Sequence, residues 1–158
     1  MKALTLRHPW AFCIAHWGKR IENRSWKPPA ALIGQRIAIH GGKVPTSHDA
    51  LADIKYIFED LKSVHGEPSY RVDGNLTLRD ILLPGVVATA VIDRVIYLEA
   101  FRARNSDPAF ADPWFDIDVD GNIGWVLRDV IVLPKPIPCK GAQGLWDLPP
   151  EVLREITQ

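Results

Sequence analysis

The feature that most constrains the fold lies between Pro9 and Trp26, where the residue pattern changes period at a single glycine. Trp10, Phe12, Cys13, Ile14 and Trp17 follow helical spacing behind Pro9, whose fixed φ suits a first helical turn. Gly18 then stands where a left-handed residue would end that helix. From Arg20 onward apolar and polar residues alternate, so Arg20, Glu22, Arg24 and Trp26 are expected on one face of a strand, with Ile21, Asn23 and Ser25 on the other. Strict alternation turns Lys19 away from Glu22, so the two can cooperate only if the chain bends at the helix-to-strand corner.

The same stretch is chemically dense. Arg7 to Trp26 holds Trp10, Trp17 and Trp26, three of the six tryptophans, together with Arg7, Lys19, Arg20 and Arg24 and a single carboxylate, Glu22. A structural explanation exists for each part: exposed ion pairs are worth at most ~1 kcal/mol apiece, and tryptophans are ordinary core residues. The functional explanation is a site in which Lys19 and Glu22 are the catalytic candidates and Trp10, Arg24 and Trp26 contact a ligand.

Charge is balanced overall, with 19 Lys/Arg against 19 Asp/Glu, which by itself argues against a nucleic-acid partner. Its distribution argues the other way. Residues 1–43 carry eight cations against Glu22 alone, a net +7, whereas residues 44–134 carry eight against fifteen, a net −7. Such asymmetry suggests one basic and one acidic face unless folding interleaves the segments.

The length of 158 residues suits a single domain spanning 1–158, able to bury roughly 68–70% of its unfolded surface without staples. With two cysteines, Cys13 and Cys139, and no secretion-signal pattern, reduced thiols and a cytoplasmic location are expected. No apolar run approaches the ~20 residues of a membrane span.

Downstream, Arg36 to His40 reads as a strand ending at Gly41-Gly42, which places His40 and Lys43 as candidate ligand contacts. Thr46 to His65 is the clearest helix, with Leu51, Ile54, Ile57, Phe58, Leu61 and Val64 at helical spacing, Thr46 and Asp49 as a capping box, and Asp53 on its outer face. Thr77 to Leu83 suggests a second short helix, Gly85 to Leu98 a buried strand, Gly124 to Leu133 and Gly144 to Leu148 later strands, and Glu151 to Ile156 a last helix. Residues 101–115 form a turn-rich insertion of the kind that serves as a functional flap or a mobile loop.

Asp116 to Asn122 reproduces the first half of a calcium loop, with oxygen-bearing residues at alternate positions and Gly121 at the sixth. Position twelve, where a glutamate should close the shell, is Leu127, and Asp120-Gly121 makes a ready hairpin turn. No zinc spacing occurs either, so neither a metal nor a cofactor is expected.

The ordered series Arg7-His8-Pro9-Trp10-Ala11, Gly18 to Trp26, Ile37 to His40, Leu133 to Gly141 and Gly144-Leu145-Trp146 resembles the ASCH domain from end to end. The resemblance implies an α+β fold, a PUA-like small mixed β-barrel with two or three flanking helices. It also implies a basic cleft lined by a Gly-Lys-x-x-Glu-x-Arg signature, carried here by Gly18, Lys19, Glu22 and Arg24. The function implied is binding of RNA or a nucleotide, with hydrolytic action of the ribonuclease type as a further capability of some members. Other similar proteins are amidohydrolases on acetylcytidine-like modified nucleosides, which use a lysine, a threonine and a glutamate. Lys19 matches that lysine, whereas Glu22 occupies the threonine's place. A non-enzymatic regulatory adaptor is the remaining class, although no exposed apolar helix suggests a protein partner.

Overall fold

The structure is a computed structural model that describes residues 1–69, 76–102, 106–116 and 122–157, with the side chains of 101 and 102 excepted. The half calcium loop falls largely on 117–121, outside the described residues.

Among the described residues six strands form one mixed sheet: β1 (Lys2–Leu6), β2 (Ile21–Arg24), β3 (Arg36–Gly41), β4 (Gly85–Tyr97), β5 (Ile123–Ile137) and β6 (Leu145–Asp147). Their spatial order is β2-β5-β4-β3-β1-β6, with β1 and β3 parallel and every other pair antiparallel. The sheet curls into a half-barrel. The expected α+β class with a mixed, barrel-like sheet is present, and among the described residues β2 and β6 are its two edges.

Among the described residues five α-helical segments flank the sheet: α1 (Trp10–His16), α2 (His48–His65), α3 (Leu78–Ile81), α4 (Leu98–Arg102) and α5 (Pro150–Ile156). Helix α1 is the plug. Ala11 to Ala15 are all buried, and Ile14 packs with Leu4, Leu6, Ile37, Ile39, Ile92 and Trp125 from the concave side of the sheet. Phe12, Cys13 and Trp17 face the opposite way, into a second cluster with Ile54 and Phe58 of α2 and with Trp114 and Phe115. Helix α5 covers a third cluster through Val152, against Ala3, Ala38, Val86 and Ile137. A helix buried on two faces must be apolar on both, which is why its sequence shows no polar stripe.

Strand β4 lies between β3 and β5, and its first eight residues are buried. Interior strands covered on both faces read as continuous apolar runs, as the segment from Val86 to Ile92 does. Strand β5 runs four residues beyond the expected end at Leu133, through Pro134 and Pro136. The prolines are tolerated because they fall in a register shift, between the pairs Ala88↔Val132 and Val86↔Ile137, where no ladder hydrogen bond is required of them.

Helix α2 starts two residues later than its sequence pattern suggests. Ser47 is the N-cap and accepts from the Ala50 backbone N–H at 3.4 Å, in place of the expected Thr46–Asp49 box. Gly66, at φ 74°, ends it. The capping box at α3 is present: the Asp80 carboxylate accepts from the Thr77 backbone N–H at 2.7 Å and from its hydroxyl at 2.6 Å.

Candidate functional site

The site grows out of the corner after α1. Gly18 adopts φ 72°, a conformation open to glycine, and the Lys19 backbone N–H returns to the Cys13 carbonyl at 3.1 Å. That reversal supplies the bend that strict alternation lacked. Lys19 turns inward, 2% exposed, and its ammonium donates to the Ile21 carbonyl and lies 3.8 Å from Glu22 Oε2. Two indoles flank it, with the Trp10 and Trp114 ring centres 5.4 and 5.5 Å from Nζ.

Arg20 leaves the expected row. Its guanidinium folds back and donates to the carbonyls of Ile14 and Lys19, at 3.0 and 2.9 Å, where it caps the negative end of α1. Arg24 stays, its Nε 3.2 Å from Glu22 Oε1 while its Nη2 donates to the Thr5 carbonyl at 3.4 Å. Since Thr5 lies just past the last β1–β6 pair, that bond ties edge strand β2 to β1 across the open side of the half-barrel. Lys19, Glu22 and Arg24 therefore converge.

Burial governs their protonation. Desolvation pushes the Lys19 pKa below its ordinary value, opposed by the Glu22 charge, and pushes Glu22 above its ordinary value, opposed by Lys19 and then Arg24. Each charge offsets part of the other's cost of leaving water. Cys13 close by is core: burial raises its thiol to about 12, and both Cys13 and Cys139 are free.

A hollow of about 810 Å³ opens over this group, between the ends of β1 and β2 and the inner face of α2. Trp10, Glu22, Arg24 and Lys43 line it, with Arg7 and His8 on the same side and Asp53 and Ile57 from α2. Lys19 does not line it; the ammonium lies behind Glu22, sealed by the indoles. Asp53, read from sequence as an outer-face residue, lies on the wall, so the acidic middle of the chain does fold against the basic beginning at this point.

Two of the expected ligand contacts are placed elsewhere. Trp26 lines a separate hollow of about 770 Å³ with Pro28, Pro29 and Tyr97, and packs edge-on against Trp125 at 4.8 Å and 89°. Its link to the site is indirect, through Arg24 Cζ at 5.9 Å from its ring. His40 is buried and donates from Nε2 to the Cys139 carbonyl at 3.2 Å, and it faces an adjoining hollow of about 730 Å³, whose wall includes Lys43. Lys43 thus belongs to both depressions.

The sequence reading missed Trp114 and His65. Their rings stack at 3.6 Å and 4°, and Trp114 also meets Trp17 at 5.8 Å, so the segment 106–116 closes over Lys19 from outside. The signal was present in the indole of Asp112-Pro113-Trp114, since a tryptophan in an otherwise polar loop is apolar surface that must be covered.

A curled mixed sheet plugged by an apolar helix, with an ammonium, a carboxylate and a guanidinium gathered at the plug's end, defines a small α+β half-barrel protein. Solved structures agree on the fold. The ASCH protein of Zymomonas mobilis aligns over 99% of this chain and 92% of its own, at 14% identity and a TM-score of 0.50. Its serine-to-alanine variant aligns over 99% and 93% at 15% identity and 0.51, and a tyrosine-to-phenylalanine variant over 99% and 95% at 14% identity and 0.51. No family model matches the sequence, and neither does any curated protein. Among the described residues no helix is long and apolar enough to cross a membrane.

Proposed function

We propose that the protein binds RNA or a nucleotide in the hollow above Glu22. One observation carries this reading: a carboxylate and a guanidinium, paired and fixed, stand in the same concavity as an indole and two further cations, Arg7 and Lys43. A volume of about 810 Å³ falls within the ~300–1,000 Å³ of small-ligand sites, enough for one nucleotide unit rather than a duplex. Glu22 accepts from the exocyclic amine of an unpaired base, Trp10 supplies its aromatic wall, and Arg24, Lys43 and Arg7 take the phosphate. Lys19 serves from behind, its charge keeping Glu22 an acceptor.

Titration of cytidine 5′-monophosphate by calorimetry tests the reading. Wild type binds with a salt-dependent affinity, Glu22→Gln and Arg24→Ala each weaken it, and binding indifferent to both substitutions overturns the assignment.

The opposed shifts of Lys19 and Glu22 favour one second reading, a nucleoside amidohydrolase. A carboxyl group with a raised pKa sits closer to neutrality, where it can exchange protons with a reacting group. Glu22 would take a proton from water as the oxygen adds to the acetamide carbonyl of an acetylcytidine-like nucleoside, then hand it to the leaving amine as the C–N bond breaks, giving cytidine and acetate. Mass spectrometry of acetylated nucleosides and of RNA incubated with wild type, Lys19→Ala and Glu22→Ala separates the readings. Turnover that vanishes in the variants establishes hydrolysis, and unchanged nucleosides and RNA with wild type exclude it.

A further inference from the structure

The hollow on the far side of Lys43 has no part in that account. It lies between the end of β3 and the loop 138–144, holds about 730 Å³, and shares Thr5, Gly42, Lys43, Ala142 and Gln143 with the Glu22 hollow. Sharing these residues, the two are neighbouring compartments of one depression.

Their chemistry differs. The first compartment contains two carboxylates, Glu22 and Asp53, whereas the second is lined by Lys43 and Lys140 with no acidic residue at all. With two lysines and no carboxylate among the described residues of its wall, the second compartment favours an anionic guest over a cationic one. Much of its wall is glycine backbone. A Cβ on Gly41 would come within 1.7 Å of the Leu83 carbonyl oxygen, and one on Gly141 within 2.6 to 2.8 Å of the His40 ring and the Thr5 hydroxyl oxygen, so neither glycine can carry a side chain without displacing the wall.

The wall is also held in place. His40 Nε2 donates to the Cys139 carbonyl on one side, and His8 Nε2 donates to the Gly42 carbonyl at 3.0 Å on the other. Both rings are buried, and burial lowers both pKa values, so each is a neutral donor fixing the loop that carries a lysine, Lys140 after Cys139 and Lys43 after Gly42. Two exposed lysines would otherwise be a mobile surface feature; here their backbones are pinned to either side of one depression.

We propose that this second compartment is a phosphate subsite for the next nucleotide of a single-stranded RNA, with Lys43 shared between the two units and Lys140 specific to the second. The proposal rests on the reading of the Glu22 hollow as a nucleotide site and extends it from one unit to a strand. His8 and His40 are positioning residues for the two lysines.

The test compares cytidine 5′-monophosphate with the ribotrinucleotide CpCpC by calorimetry at several salt concentrations. Wild type binds the trinucleotide about tenfold or more tightly than the mononucleotide, with a steeper salt dependence. Lys140→Ala, an exposed substitution that leaves the fold intact, abolishes most of that gain and lowers the salt slope by about 0.7 to 1 while mononucleotide affinity is unchanged. Lys43→Ala weakens both ligands. If Lys140→Ala leaves the trinucleotide affinity and salt slope at wild-type values while Glu22→Gln still weakens the mononucleotide, the subsite is wrong and the nucleotide site stands. If wild type binds neither ligand, or Glu22→Gln and Arg24→Ala change neither, the nucleotide site fails and the subsite with it.

Discussion

Lys19, Glu22 and Arg24 form a unit whose members cannot be removed singly without consequence. Lys19 and Glu22 have side chains only 3% and 8% exposed, so Glu22→Gln leaves an ammonium buried without its counter-charge. Breaking a buried pair costs about 3–5 kcal/mol, whereas replacing both partners with neutral groups of similar shape costs far less. Urea denaturation should therefore find Glu22→Gln strongly destabilising and Lys19→Met with Glu22→Gln less so than the sum of the single changes. Simple additivity would mean that the 3.8 Å approach carries no coupling. The three residues were legible as a group because Gly-Lys-x-x-Glu-x-Arg places them within seven positions. Their depth was not. Alternation alone turned Lys19 away from Glu22, and only the positive φ at Gly18 brings it beneath that carboxylate.

At the level of elements, periodicity located most helices and strands but missed β1 and α4, and the boundary errors fell where local chemistry offered two solutions. Thr46 and Ser47 can each cap a helix, and Thr46 had the apparent advantage of Asp49 at the third position; the chain instead enters α2 from extended backbone at Ser47 (φ −77°, ψ 143°). Ser47→Ala should cost about 0.5–1 kcal/mol by thermal or urea unfolding, toward the lower end because the bond is 3.4 Å, while Thr46→Ala should be near neutral. The reverse order would restore Thr46 as the cap. Residues 101–115 were legible as an insertion and no further, because the covering role of 106–116 depends on contacts with Trp17, His65 and Lys19 that are remote in sequence. Trp114→Ala removes an 8% exposed indole from that contact set and should cost about 3–5 kcal/mol. It should also raise the rate at which an amine-directed acylating reagent labels Lys19, read by peptide mass spectrometry; unchanged labelling would show that Trp114 does not shield the ammonium.

Across the whole molecule, the +7 and −7 segments do not separate into two clean faces. Helix α2 brings Asp53 of the acidic segment to the basic hollow, and Arg36 of the basic segment donates to the Asp129 carbonyl at 2.8 Å. What the fold keeps of the asymmetry is local, a carboxylate-free compartment beside one that contains two. The loops around that compartment depend on neutral histidines, and this makes the molecule acid-sensitive in a predictable direction. Burial lowers the pKa values of His8 and His40, and of His16 and His65 elsewhere. Below about pH 6.5 the unfolded chain takes up protons that the folded chain still refuses, so protonation favours unfolding. Stability should fall as pH drops from 6.5 through the lowered folded-state values, with a slope of at most about 1.4 kcal/mol per pH unit for each of His8 and His40, and should level off above 6.5. Denaturation between pH 4.5 and 7.5 checks this. His40→Gln, which removes the titrating ring, should flatten the profile relative to wild type even though it weakens the fold at neutral pH. A variant profile parallel to wild type would show that His40 is protonated as easily in the folded protein as in the unfolded one, and would remove it as a neutral brace for the Lys140 loop.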